Sequence, residues 1–93
     1  MRILSAGDLT EKVRRLCLRA CCDLPQDVLA ALTAALAIEA PQSAAHSVLS
    51  QLIENQTLAR SCQRPICQDT GVAVVFADIG EELHIEGSLE QAV

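Results

Sequence analysis

Apolar residues recur at helical spacing in three successive stretches of the first 60 residues. The first stretch predicts a helix over residues 8–22, preceded by a capping-box pattern that begins at Ser5. A second apolar repeat, opened by a proline, predicts a helix over residues 25–39. Ser43 can cap a third helix, which we expect over residues 43–60. The first two thirds of the chain is therefore predicted to be helical.

The pattern changes after residue 60. Residues 61–71 have no period and contain a proline and a glycine, which predicts a loop. Residues 72–79 are mostly apolar and rich in valine, which predicts a largely buried strand, and a turn then leads into an alternating strand over residues 83–86. Ser88 opens a second capping-box pattern. The predicted fold class is α+β: three N-terminal helices, then an extended loop, a β-strand pair and the start of a further helix.

Composition suggests that this α+β unit depends on more than its own core. The chain has 93 residues, of which 51% are hydrophobic but only 1% aromatic. A core of small aliphatic side chains buries little area in a chain of this size. The last predicted helix has about one turn between Ser88 and Val93, and so short a helix is marginal. We therefore expect residues 1–93 to be a fragment of a larger domain.

Charge and hydropathy exclude several classes of partner. The net charge is −5; residues 1–22 carry five basic and two acidic side chains, and the remaining residues carry two basic and ten acidic ones. Without aromatic stacking positions or a long basic run, we expect no nucleic-acid partner. We also expect no membrane partner, because no stretch reaches the roughly 18 apolar residues that a membrane helix needs.

The five cysteines are an odd number, and the N-terminus lacks the apolar core of a secretion signal. This combination predicts reduced thiols and a cytoplasmic protein. Cys17 and Cys21 share the apolar stripe of the first helix, so core packing is favoured for them over a zinc site. Cys62 and Cys67 have the spacing that begins a plant-type ferredoxin motif, but the next cysteine of that motif would fall at Thr70.

The loop contains the densest group of reactive side chains, Cys67-Gln68-Asp69-Thr70-Gly71. A thiolate could bind a soft metal or an iron–sulfur cluster, an amide could bind a substrate carboxylate or hydroxyl, and a carboxylate could transfer a proton. In the alternative interpretation, Asp69 and Thr70 make local turn hydrogen bonds and Cys67 packs as a small apolar residue. The chemistry of these residues alone favours the alternative.

A family resemblance reverses that preference. Residues 64–77, RPICQDTGVAVVFA, resemble the cluster-loop signature of iron–sulfur (class I) fumarate hydratases and L-tartrate dehydratases. The segment GDLTEKVRRLC and the helices after it resemble the N-terminal helical region of the same family, and GEELHIEGSLEQAV resembles the segment that leads into its next helix. The resemblance covers essentially the whole chain. It implies that residues 1–93 are the N-terminal part of the alpha-type catalytic domain, with 1–60 helical, 61–71 the cluster and substrate loop, and 72–93 strands and a helix start.

The resemblance also implies a chemistry. The family interconverts fumarate and malate, or dehydrates tartrate, with a 4Fe–4S cluster held by three cysteines. Cys67 matches one cluster ligand, and the other ligands would lie outside this chain. Gln68 and Asp69 match residues that contact the dicarboxylate substrate, and Asp69 matches a catalytic residue in proton transfer. A beta-type subunit or domain and a dimeric assembly are implied as well.

Two other functions stay open at this point. The chain could be a non-catalytic helical interaction module whose thiols are structural, or a small thiol-based metal module. In the hydro-lyase interpretation, we expect the isolated chain to be inactive, because a cluster needs at least three converging thiolates and the substrate needs basic partners from later segments.

Overall fold

The computed structural model describes residues 1–69 and 71–93. The chain divides into two compact units, one formed by residues 1–17 and 69–93 and the other by residues 18–68. In chain order the elements are β1 (Arg2–Ser5), α1 (Ala6–Cys22), α2 (Gln26–Ile38), α3 (Ala44–Cys62), β2 (Leu83–Glu86) and α4 (Leu89–Ala92). The predicted α+β class is confirmed.

The helices begin where the sequence provides capping side chains. The hydroxyl oxygen of Ser5 accepts a hydrogen bond from the Asp8 N–H at 3.1 Å, and that of Ser43 accepts one from the His46 N–H at 3.0 Å. Ser88 accepts in the same way from a backbone N–H of α4. Each cap satisfies one of the backbone donors that a helix start leaves without an intrahelical partner.

The third helix ends later than predicted. Helix α3 continues through Cys62, so two residues assigned to the loop are helical. Gln63 then adopts a left-handed conformation with φ 51° and ψ 50°, and the Arg64 N–H returns to the Ala59 carbonyl at 3.0 Å. This hydrogen-bond pattern is the usual close of a helix C-terminus. The side-chain amide of Gln63 reinforces it by donating to the Arg60 carbonyl at 2.8 Å.

The two-stranded sheet is parallel and pairs β1 with β2, with Leu4 opposite Ile85. Strand β2 alternates as predicted, with Leu83 and Ile85 half-buried and His84 exposed. Its partner differs from the prediction, because the strand pair had been expected within residues 72–93. The missed strand, Arg2–Ser5, is four residues long and lies at the extreme N-terminus, where no turn signal marks it.

The predicted strand over residues 72–79 is wrong. Residues 71–80 have neither helical nor strand backbone, and Val72 and Phe76 are 90% and 93% exposed. High β-propensity is realised only when a neighbouring strand takes the backbone hydrogen bonds. Among the described residues, β2 pairs with β1 and residues 72–79 pair with no strand.

The core is small, as the aliphatic composition predicts. The buried hydrophobic residues in the described part of the chain are Val13, Cys22, Ala59 and Ala92. The expectation that Cys17 and Cys21 pack in the core is wrong, since both are exposed. Helical periodicity identified an apolar stripe on α1, but the buried thiol is that of Cys22 at the end of the helix.

One stretch meets the length and hydropathy criterion for a membrane-spanning helix, which corrects the expectation from hydropathy. This stretch is Ala6–Ile38, with a mean hydropathy of 1.4 in its most apolar 18-residue window and 6% of that window buried. It joins α1 to α2, and residues 23–25 between them are not helical.

Candidate functional site

The loop that follows α3 begins in a fixed conformation. After the left-handed turn at Gln63, the chain reaches Ile66, whose N–H donates to the Cys21 carbonyl at 2.8 Å. The Ile66 carbonyl accepts a hydrogen bond from the Asn55 side-chain amide, also at 2.8 Å. The residue before Cys67 is therefore held on one side by the end of α1 and on the other by α3.

The three predicted site residues Cys67, Gln68 and Asp69 directly follow this anchor, and all three are exposed. Cys67 is a free thiol. The alternative in which Cys67 is a small buried apolar residue is therefore wrong, and its thiol is accessible to a ligand. The predicted role of Thr70 lies outside the described residues.

The described residues supply only part of the donor set that a 4Fe–4S cluster needs. The 4Fe–4S cluster that the resemblance of the loop implies would need three thiolates, and Cys67 supplies one that is exposed and free. Among the described residues, no group of three or more histidine, cysteine or acidic side chains could hold a metal ion. Cys67 therefore fits the role of a single ligand, and the described part of the chain does not form a complete metal site.

A cavity of about 300 Å³ lies between the end of α3 and the start of the loop. Its lining residues are Asn55, Leu58, Ala59, Cys62, Arg64 and Pro65. The loop side contributes a guanidinium group and the helix side contributes an amide and a thiol. Cys67, Gln68 and Asp69 do not line it, so this cavity is not the predicted substrate site.

The sequence did not reveal Asn55 as part of the site. A single exposed asparagine on a helix resembles an ordinary solvated side chain, and nothing in the local pattern links it to a backbone carbonyl eleven residues away. The same holds for Cys21, which contributes its backbone carbonyl and not its thiol. Both contacts are tertiary and depend on how α1, α3 and the loop meet within residues 18–68.

Comparisons with known proteins support the family suggested by the loop. Residues 10–93 match the model of the fumarate hydratase (Fumerase) family. A protein of Methanocaldococcus jannaschii, provisionally named L(+)-tartrate dehydratase subunit alpha, is 41% identical over 61 residues. The matched segment covers 66% of this chain and 21% of that relative. No solved structure gives a significant match. Because the family model matches most of the chain, the resemblance is confirmed, and the chain belongs to the fumarate hydratase family.

Proposed function

We propose that this chain is the N-terminal, alpha-type segment of a cytoplasmic hydro-lyase that interconverts fumarate and malate or dehydrates tartrate. The observation that carries the proposal is the family match over residues 10–93, which includes the Cys67–Asp69 loop. The exposure of all three predicted site residues supports it, because substrate and cofactor need access to them. The subunit name of the archaeal relative supports a beta-type partner and a dicarboxylate substrate. We propose a dimeric assembly with no nucleic-acid partner.

In this proposal, Cys67 is one of three thiolate ligands of a 4Fe–4S cluster, and the other two come from residues outside this chain. When bound, such a cluster supplies a Lewis-acidic iron that favours departure or addition of the substrate hydroxyl. Gln68 donates its amide N–H groups to a substrate carboxylate or hydroxyl. Asp69 accepts or returns a proton at its carboxylate oxygens.

The isolated chain should be inactive on this view. One accessible thiol on the loop does not hold a cluster, and the second carboxylate of the substrate would lack basic partners. The experiment is anaerobic reconstitution of residues 1–93 with iron and sulfide, followed by assays of fumarate hydration and tartrate dehydration. We expect no stoichiometric 4Fe–4S absorbance and no turnover. A stoichiometric cluster signal with turnover would refute the incomplete-site proposal.

The positive test transfers the segment into a complete enzyme. The matching segment of the archaeal relative is replaced by the corresponding residues of this chain, and the hybrid is purified with its beta-type partner. We expect cluster absorbance and dehydratase activity in the hybrid, and loss of both after Cys67→Ala. Cys17→Ala is the matched control, because Cys17 is also an exposed free thiol but lies on α1. If both variants kept the cluster, Cys67 would not be a ligand.

The non-catalytic alternative makes a different prediction. An interaction module with structural thiols needs its cysteines for packing, so replacing Cys67 would lower stability in residues 1–93 themselves. The exposure of Cys67 argues against that outcome. Thermal unfolding of the Cys67→Ala chain should match that of the unsubstituted chain within the ordinary range for surface substitutions, about 0.5 kcal/mol.

A further inference from the structure

Asn55 makes a hydrogen bond to the loop that the proposed function does not explain. Its side-chain amide nitrogen lies 2.8 Å from the carbonyl oxygen of Ile66, eleven residues further along the chain. Asn55 is exposed on α3, so this hydrogen bond is not a consequence of burial. The acceptor is a backbone carbonyl, and the bond therefore requires the amide N–H group of Asn55.

The Ile66 carbonyl belongs to the same peptide unit as the Cys67 nitrogen. A peptide unit is planar, so fixing its oxygen also fixes the direction in which the Cys67 backbone begins. The Ile66 N–H is fixed independently by the Cys21 carbonyl at 2.8 Å. Because the N–H and the C=O of Ile66 are both hydrogen-bonded, few torsions remain that could move the Cys67 α-carbon. The direction of the thiol from that α-carbon is then determined by the side-chain torsion χ1.

The Cys21 contact also has a reason in helix physics. Cys21 lies in the last turn of α1, where backbone carbonyls lack intrahelical partners and carry the negative end of the helix dipole. The N–H of Ile66 satisfies one of these carbonyls. The loop is therefore attached at a position where α1 needs a donor, and Asn55 supplies the second attachment from α3.

We infer that Asn55 is a positioning residue that holds the Ile66–Cys67 peptide, and thereby fixes the position of the Cys67 α-carbon from which the thiol extends. Its use in catalysis rests on the proposed function, because only a cluster ligand needs so defined a position. The contact itself belongs to residues 18–68 and can be tested without a cluster. The two ideas can therefore fail separately.

The experiment measures amide hydrogen exchange by NMR in the 93-residue chain. Asn55→Asp removes both amide donors at almost constant shape and places a carboxylate against a carbonyl oxygen. Gln51→Glu is the matched control, because it makes the same amide-to-carboxylate change one turn earlier on α3, where the Gln51 amide donates a hydrogen bond to the Ser47 hydroxyl on the same helix. We expect the Ile66 N–H to exchange about fivefold faster in Asn55→Asp, as the loss of one hydrogen bond implies, and to be unchanged in Gln51→Glu.

Asn55→Ala tests whether a loss of helix stability, and not the loss of the amide donor, explains faster exchange. Alanine has a higher helix propensity than asparagine, so this variant should strengthen α3 while removing the donor. A purely helix-stabilising role of position 55 predicts slower exchange throughout α3, whereas the positioning role predicts faster exchange at Ile66. Equal exchange at Ile66 in the unsubstituted chain and in Asn55→Ala would overturn the inference.

NMR couplings at Cys67 and Cys62 give a second test of the positioning role of Asn55. Cys62 and Cys67 are both exposed, but Cys62 is part of α3 and Cys67 follows the anchored peptide. In Asn55→Ala, the backbone HN–Hα coupling of Cys67, which reports its φ torsion, should shift toward the averaged value of a backbone that is not held, while that of Cys62 stays as it is. An equal change at both cysteines would indicate general loosening and would contradict a specific role for Asn55.

In the hybrid enzyme, the cluster-ligand role of Cys67 and the positioning role of Asn55 can be tested separately. If Cys67→Ala abolishes the cluster and Asn55→Ala lowers its occupancy, both are supported. If Asn55→Ala accelerates exchange at Ile66 but Cys67→Ala leaves the cluster intact, Asn55 positions the loop and Cys67 is not the ligand. If Cys67→Ala abolishes the cluster while Asn55→Ala leaves exchange and occupancy unchanged, the ligand assignment holds and the positioning role is wrong.

Discussion

Gly87 allows β2 to continue into the start of α4, and replacing it should disrupt the unit formed by residues 1–17 and 69–93. The backbone of Gly87 has φ +109°, a region that side chains rarely adopt. A β-carbon at this position would lie 2.7 Å from the β-carbon of Ala6. Both atoms are attached to backbone, so neither can move away by a simple rotation.

The magnitude follows from these two effects. Placing a side chain at positive φ costs about 1–2 kcal/mol, and forcing a methyl group into occupied space costs about 1–3 kcal/mol. The smaller entropy of the unfolded alanine chain offsets about 0.4–1 kcal/mol. The net loss expected for Gly87→Ala is therefore about 1–4.6 kcal/mol with a midpoint of about 3 kcal/mol, a large fraction of the stability of a domain of this size.

The assay is hydrogen exchange at the amides that join β1 and β2, including the Arg2 N–H, which donates to the Glu82 carbonyl at 2.8 Å. Exchange should accelerate there and stay unchanged in the α2–α3 pair. Gly80→Ala is the control, because a β-carbon at Gly80 meets nothing within 4 Å. Adding Ala6→Gly to Gly87→Ala should recover the steric part of the loss and not the backbone part. Equal exchange in Gly87→Ala and Gly80→Ala would refute the reasoning.

Three further predictions concern the site and the surface of α1. In the assembled enzyme, Cys67→Ala should remove the visible absorbance of the cluster, while Cys17→Ala should change stability by no more than about 0.5 kcal/mol, because Cys17 is exposed. Asp69→Asn should retain the cluster and lower turnover by ~100- to 10,000-fold, as expected for loss of a proton-transfer group; near-normal turnover would exclude that role. The hydrogen bond from Arg14 lowers the pKa of Glu11 to about 2, so any stability from this pair is present above the ordinary carboxyl pKa of 4.5 and is lost as the pH falls toward 2. An NMR titration of the Glu11 carboxyl should show the low midpoint, and Arg14→Gln should raise it.

Local signals in the sequence predicted local structure well. The hydroxyl groups of Ser5, Ser43 and Ser88 all cap the helices that they were expected to cap. A cap involves residues only two or three positions apart, so the chain itself brings donor and acceptor together. The helix ends were predicted less accurately. Helix α3 extends to the left-handed turn at Gln63, and glutamine is a weaker signal for such a turn than asparagine or glycine.

Non-local pairing was not predictable from the same signals. Residues 72–79 have strand-forming composition, but composition does not identify a neighbouring strand, and β2 pairs with Arg2–Ser5 from the far end of the sequence. The cysteines of α1 show the same limit. Their periodicity placed Cys17 and Cys21 on an apolar stripe that was expected to be buried, but burial depends on which segment covers a stripe, and of the three cysteines of α1 the buried one is Cys22.

The residues of the predicted site differ in how many hydrogen bonds hold them. Cys67 follows a peptide whose carbonyl and preceding N–H are both hydrogen-bonded, whereas in the described residues no hydrogen bond involves the side chain of Gln68 or Asp69. The distance between a metal ion and its ligand must lie within about 0.2 Å of the ideal value, so a fixed approach is most valuable at Cys67. Substrate-binding side chains can complete their hydrogen bonds when the substrate arrives. Asn55→Ala should therefore lower the cluster content of the enzyme more strongly than it lowers substrate affinity. Asp69→Asn should instead lower turnover while the cluster is retained. If Asn55→Ala lowered substrate affinity more strongly than cluster content, Asn55 would act on the substrate-binding residues and not on Cys67.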